Sequence, residues 1–447
     1  MLDLGLVSVF CYTAGDVLFE PLFWGLFMKR IISLGCFLLA GVAGAKALPF
    51  KVIHGPVSHF TASPVLFAGD NYVVTKVGAP KPEDFEDLYW INLTAAERLA
   101  DHLDLSLAYK GEGFAIAYLS EADVIRVSQH QHLHNGACGG LFRLMGDEVV
   151  GLTVSDPTPL VASSEKLTKL QKVMPLIKES HLKGQVMALS QMHTRDSRSS
   201  QHYQVTDYLK SWYTQATPAG REDVTVEVFD HGRATQQDSV IVRIEGGKNP
   251  EEVVILGSHI DSIAGFGGRA PGADDNASGT STNMEIFRVI MEAGLVFDRT
   301  IEIHGYAAEE RGLIGSQDIA KTYRSQNKEV VAMVQFDMNL YRHRDQDEVW
   351  LVSNNTNASL NSDLQAFGKS YIGTTIRQAV LRGGSSDHAA WSRQGYPAAF
   401  PFENPARYNR HIHTSRDTIE NSGAFGQAAM FAKLGLAYVG HYGGLAH

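Results

Sequence analysis

A mostly parallel β-sheet with helices on both faces, a three-layer α/β/α fold, is what the second half of this sequence predicts. Two observations carry it. Beyond residue 250, short apolar runs alternate with stretches of helical length, the signature of successive β–α units. Several runs also end in side chains that bind metal or move protons, and the carboxyl ends of strands are where open α/β sheets form their sites.

The strand-like runs are 253–256, 301–307, 330–336, 349–352 and 398–402. The helix-like stretches are 279–293, 313–325, 360–370 and 426–438, with Gly294 placed to close the first as a C′ glycine. Upstream, 167–189 and 202–213 read as helices. The alternations Val224, Val226, Val228 and Val240, Val242, Ile244 read as half-buried strands. Residues 48–150 predict a smaller α+β unit, with strand-like 71–77 and 113–119 and helix-like 95–103. A linker at 151–166 carries Pro157 and Pro159 among small polar residues.

At 447 residues the chain has room for two domains and a sizeable core. A formal charge of −10 and the lack of a basic stripe argue against a nucleic-acid partner. Cys11, Cys36 and Cys138 are the only cysteines, too few for a disulfide scaffold or a Cys-ligated zinc ribbon. Any metal must therefore be held by His, Asp and Glu. No dimerisation seam is visible, so a monomer is expected.

The amino-terminal end carries a targeting pattern. Met28-Lys29-Arg30 is followed by apolar 31–44 and by Ala45-Lys46-Ala47, a small-x-small cleavage motif. Residues 28–47 read as a secretory signal peptide, which predicts a secreted or periplasmic protein without a stable membrane partner. A lipid anchor at Cys36 is the rival, but Ser33 stands where such a motif wants Leu. Residues 1–27 read as an over-extended start, the alternative being a membrane-associated segment.

The chemistry begins at 253–310. His259 and Asp261, two apart at a strand end, point the same way. Such a His usually needs its second ring nitrogen held, often by a carboxylate, and Asp261 could do that or ligate directly. Asp274-Asp275 lies in a Gly-Ala-Asp-Asp-Asn-Ala-Ser-Gly loop running into a helix. Adjacent carboxylates need a cation or a helix N-terminus, so one of the pair is a candidate N-cap and the other a candidate bridge between cations. Glu309-Glu310 ends an apolar run, which is costly without a counter-charge. Neighbours on a strand face opposite ways, so the two can divide the roles of ligand and base. Asp337 and His413 complete a sulfur-free set suited to zinc, and to a pair of ions. His130, His132 and His134 alternate, but with no carboxylate nearby they read as a polar strand or loop rather than a second metal site.

Residues 167–440 resemble the secreted bacterial leucyl aminopeptidases of the di-zinc type. The likeness rests on Gly257-Ser258-His259-Ile260-Asp261-Ser262, Ala270-Pro271-Gly272-Ala273-Asp274-Asp275, Tyr306-Ala307-Ala308-Glu309-Glu310, Phe336-Asp337-Met338, Ser386-Asp387-His388-Ala389, Gly395-Tyr396-Pro397 and Ile412-His413-Thr414, in order and at matching spacing. The resemblance implies two Zn2+ per chain. His259 and Asp337 would hold one, Glu310 and His413 the other, and Asp275 would bridge them, since it stands four residues before the loop's closing Gly279. It implies Glu309 as general base and Asp261 as the residue that orients His259. Met338, Phe400, Phe402, Tyr408 and Ile412 fall at or near the pocket for the first side chain, which favours Leu-like residues on peptides with a free N-terminus.

The resemblance also makes 48–165 propeptide-like, and 166–447 the catalytic domain. Residues 381–385 lack the Cys-x-x-x-Cys and Tyr that some relatives carry there. A carboxypeptidase or a glutaminyl cyclase on the same fold is the alternative. Arg382, Arg407 and Arg410 are the basic residues near enough in sequence to clamp a terminal carboxylate. A non-catalytic binding relative is disfavoured by the intact ligand set.

Overall fold

The apolar runs of the second half pair into one sheet. The computed structural model describes residues 48–54, 65–68, 72–77, 87–93, 105–130, 140–145, 156–160, 164–265, 268–382 and 384–446. The signal, the rival anchor, all three cysteines, helix 95–103 and the histidines 132 and 134 lie outside them. Leu48–His447 forms a single compact unit.

Its first part is two small antiparallel sheets. Strands β1 (Phe50–His54), β2 (Val65–Ala68) and β3 (Tyr72–Lys76) pair in the order β1-β3-β2. Strands β4 (Leu88–Asn92), β5 (Leu107–Lys110), β6 (Phe114–Tyr118) and β7 (Leu141–Arg143) pair in the order β5-β6-β4-β7. Between β6 and β7 lies helix α1 (Glu121–His130). Ser120 starts it, accepting the Asp123 N–H at 3.2 Å and donating to the Asp123 carboxylate at 2.6 Å. His130 therefore ends a helix rather than lying on a strand or loop, while His132 and His134 lie outside the described residues.

Helices α2 (Ser164–Val173) and α3 (Glu179–Ser190) replace the single helix expected over 167–189. Pro175 has no N–H to continue the ladder, so the chain tightens into a 3-10 turn. It then extends at Lys178, whose N–H is held by Glu285 at 2.8 Å. Next come α4 (Tyr203–Ala216), the hairpin β8 (Val224–Phe229) and β9 (Ser239–Ile244), then β10 (Asn249–His259), α5 (Ala277–Glu292), β11 (Arg299–Tyr306), α6 (Ile314–Ser325) and β12 (Glu329–Gln335). The remainder is β13 (Trp350–Val352), α7 (Ala358–Phe367), β14 (Arg377–Ala379), α8 (His388–Arg393), β15 (Ala398–Ala399), β16 (Pro401–Phe402), α9 (Ile419–Ser422) and α10 (Phe425–Tyr442).

The central sheet runs β15-β12-β10-β11-β9-β8. Its first four strands are parallel, and β9 and β8 add an antiparallel edge. The run 398–402 splits, β15 completing the central sheet while β16 pairs with β13 in a separate three-stranded sheet. Strand β9 is buried on both sides rather than half-buried, because it lies between β8 and β11 under helices.

Alternation along β10 feeds two cores. Val254 and Leu256 join Leu182 and Val186 of α3, Ile286 and Val289 of α5, and Phe431 and Leu434 of α10. Val253 and Ile255 join Ile319 and Tyr323 of α6 and Trp391 of α8. Fully burying one such side chain stabilises by roughly 1.5–3 kcal/mol, so both faces of the sheet are firmly covered. What the core leaves uncommitted is the sheet's carboxyl edge, where β10, β11 and β12 all end.

Helix α5 is pinned to that edge at Gly279, where a Cβ would lie 2.0 Å from the Phe336 carbonyl oxygen. Overpacking a site of this kind costs roughly 1–3 kcal/mol. Gly279→Ala is expected to lower the midpoint of urea unfolding accordingly. An unchanged midpoint would mean that this contact does not set the approach of helix to sheet.

Candidate metal centre

Each strand end delivers a different part of the site. Strand β10 ends in His259, followed by Asp261. Strand β11 runs out through Ala307 into a left-handed Ala308 (φ 52°), which throws Glu309 and Glu310 into a 3-10 turn. After β12 comes Asp337, then Met338 at φ 59°. His413, from the loop after β16, also has a positive φ, 54°. Three non-glycine residues in the left-handed region around one site mark a backbone held there by its surroundings.

Helix α5 begins behind Asp275. The expected Asp cap is instead Asn276, whose side chain accepts the Gly279 N–H at 2.8 Å and donates to the Phe336 carbonyl at 3.0 Å. Asp274 turns away, accepting from Leu340 N–H at 2.8 Å and Asn409 Nδ2 at 3.0 Å. Asp275 is thereby released toward the strand ends.

The result is two buried clusters sharing one carboxylate. Ligand-type atoms of His259, Asp275 and Asp337 lie within 4.8 Å of one another, and so do those of Asp275, Glu310 and His413. Asp275 Oδ1 is 3.0 Å from His259 Nε2, while its Oδ2 is 3.0 Å from His413 Nε2. His259 Nε2 is 3.4 Å from Asp337 Oδ1, and His413 Nε2 is 3.0 Å from Glu310 Oε2. Glu309 stands beside the first cluster, 4.0 Å from His259 Nε2. Asp261 accepts the backbone N–H of Glu309 at 3.0 Å and of Glu310 at 3.2 Å, and lies 3.4 Å from His259 Nδ1. It thereby holds the backbone of both glutamates.

Burial shapes the electrostatics. It pushes Glu309 well above the ordinary carboxyl range, against the pull of His259. It raises Glu310 to about 7 and raises Asp337. Asp275 moves the other way, because the two imidazoles that face it outweigh its burial. Burial disfavours a charged His259, but Asp337 and Glu309 overcome that and raise it well above its usual value. His259 Nε2, Asp275 Oδ2, Glu310 Oε1 and Asp337 Oδ1 nevertheless lack hydrogen-bond partners. Buried polar atoms converging without partners fit cations, and imidazole with carboxylate and no thiolate suits zinc.

Met338, Phe400, Phe402, Tyr408 and Ile412 form one buried cluster, joined by Val352 and Leu381. Arg382, Arg407 and Arg410 are exposed, and Arg410 lies over the Tyr408 ring at 4.7 Å.

Several supporting residues escaped the sequence analysis. Ser386 donates to Asp337 Oδ2 at 2.7 Å. Asp417 accepts the N–H of Asp274 at 3.1 Å and of Asp275 at 3.0 Å. Arg195, fully buried, ties the carbonyls of Ile260, Pro271 and Gly272 at 2.6–3.0 Å. Ser128 and Gln129 of α1 reach His413, through its Nδ1 at 3.0 Å and its carbonyl at 3.2 Å. Only Ser386 had a signal, its place in the Ser-Asp-His motif.

Residues 239–434 match peptidase family M28. The chain belongs to that family. It is 32% identical to leucine aminopeptidase 1 of Arthroderma otae, over 66% of this chain and 82% of that protein. It is 37% identical to a probable aminopeptidase of Saccharomyces cerevisiae over 51% of its own length, spanning 63% of the yeast protein. The crystal structure of the Legionella pneumophila LapA aminopeptidase superposes with a TM-score of 0.69 at 25% identity, covering 80% of this chain and 99% of that one. That coverage exceeds residues 166–447, so the shared fold extends into the preceding segment. The resemblance to bacterial enzymes is thereby broadened, since these two sequence relatives are fungal and the structural one bacterial. As an M28 member the chain is a hydrolase of the zinc metallo-aminopeptidase type.

Asp261→Ala removes the acceptor shared by the Glu309 and Glu310 N–H groups. Loss of a ligand's supporting hydrogen bonds typically costs about 10–100-fold in metal affinity or activity. A drop of that size is expected in zinc affinity, measured by competition with a chromogenic chelator. Unchanged affinity and unchanged kcat together would show that the turn holds itself.

Proposed function

We propose that this protein removes apolar, Leu-like residues from the free N-terminus of peptides, using two zinc ions. The observation that carries the reading is the division of Asp275, one oxygen facing each imidazole at 3.0 Å. His259 and Asp337 would hold one zinc, Glu310 and His413 the other. Filled with divalent cations, the clusters would supply the charge that polarises a carbonyl, acidifies water and keeps Glu309 ionised. Glu309 takes the proton of the attacking water as the C–O bond forms, and gives it to the amine as the C–N bond breaks. Asp261 holds Glu309 and Glu310 by their backbones. The Met338–Ile412 cluster receives the first side chain, and its apolar lining sets the preference.

Residues 48–165 are proposed as a cap. Ser128 and Gln129 seat α1 on His413, and the pocket residues are buried while α1 is in place. Displacing or removing the segment would open the site, in keeping with a secreted precursor that begins with the signal at 28–47. Among the described residues no helix is long and apolar enough to cross a membrane.

Glu309→Ala is expected to abolish turnover while both metals stay bound, as read by assay and metal analysis on one sample. Retained activity would remove Glu309 as the base. On a panel of matched peptides, free Leu-peptides should be cleaved and N-acetylated ones spared. Chelation should stop the reaction and zinc restore it. Cleavage of N-blocked peptides from their C-termini would move the assignment to a carboxypeptidase, with Arg410 the first candidate clamp.

A further inference from the structure

A Ser-His-Asp arrangement lies behind the Glu309 turn, outside the metal clusters. His231 Nδ1 is 2.8 Å from Asp318 Oδ2, and His231 Nε2 is 2.7 Å from Ser239 Oγ. Ser239 is fully buried and accepts the Ala307 N–H at 2.9 Å. A nucleophile would need an open Oγ, and this one, at the start of β9, is sealed from solvent. Its hydrogen bonds point to a different use.

The bonding pattern is self-consistent in one arrangement. The Asp318 carboxylate accepts from Nδ1–H, leaving Nε2 as an acceptor. The Ser239 hydroxyl then donates to Nε2, which turns its lone pair toward Ala307 N–H. Gln237, two residues earlier, accepts the next N–H, that of Ala308, at 3.3 Å. With Asp261 below, four successive N–H groups from Ala307 to Glu310 end on side-chain acceptors.

The turn they hold is strained. Ala308 sits at φ 52°, where a residue with a Cβ is disfavoured. Asp318 comes from α6, the helix that begins immediately after the turn, and Ser239 from the strand beside β11. Space is closed as well: a Cβ on Gly315 would lie 2.4 Å from the Ala307 oxygen and 3.0 Å from Ser239 Oγ.

We infer that Ser239, His231 and Asp318 form a positioning relay for Glu309, setting where its carboxylate stands relative to the metal clusters. The inference rests on Glu309 being the base. The relay touches neither substrate nor metal. It acts through the backbone two residues upstream.

The test is Ser239→Ala on the full chain loaded with zinc, read beside Glu309→Ala. A small misplacement of a catalytic group costs up to about 100-fold, so Ser239→Ala alone is expected to lower kcat by about tenfold or more. KM should stay within about twofold and zinc per chain should not change. His231→Gln keeps an acceptor for the Ser239 hydroxyl and should recover part of what His231→Ala loses. Asp318→Asn, at the half-exposed end, should fold and show a milder fall in kcat if Ser239→Ala does not fold. Normal kcat in Ser239→Ala or Asp318→Asn with a lowered melting temperature would overturn the relay and leave it a structural brace. So would loss of zinc in step with activity. Activity in Glu309→Ala itself would instead sink the base assignment, whatever the relay variants show.

Discussion

One carboxylate shared between two imidazoles is the constraint from which the site follows. Asp275 cannot face His259 and His413 at 3.0 Å each unless its loop is fixed on both sides. Asn276 fixes one side by capping α5 and tying the Phe336 carbonyl. Asp417 fixes the other by gathering the N–H groups of Asp274 and Asp275. Gly279 lets α5 approach the β12 end closely enough for both ties to form. Concentrating so many carboxyls in a buried site is unfavourable unless positive charge answers them. The chain answers with the imidazoles of His259 and His413, and a zinc pair would supply the rest.

Much of this was legible in the sequence because strand ends are local events. An apolar run stopping at His259, at Glu309-Glu310 or at Asp337 declares its own edge, and parallel pairing of β10, β11 and β12 then aligns all three. The apolar cluster around Met338, Phe400 and Ile412 was singled out only through resemblance, since these look like any core residues.

What was not legible is non-local or set by backbone geometry. Ser239, His231 and Asp318 are unremarkable until β9 is laid beside β11 and α6 folds back over them. Asp417 and Arg195 act through backbone atoms, which leave no residue pattern. Helix α1 went unread because the alternating His130, His132 and His134 suggested a polar strand or loop, whereas the Ser120–Asp123 cap starts a helix that reaches His130. Pro175 was the missed sign that 167–189 is two helices. At Asp274-Asp275 the sequence named the right kind of group, but Asn276 outcompeted both carboxylates for the cap.

The central claim is that Asp275 joins two metal sites. Diffraction recorded on either side of the zinc absorption edge, from crystals of the zinc-loaded protein, tests it most directly. The account predicts two anomalous peaks flanking the Asp275 carboxylate, one beside His259 and Asp337 and one beside His413 and Glu310. A single peak, or two peaks with Asp275 contacting only one, would contradict it.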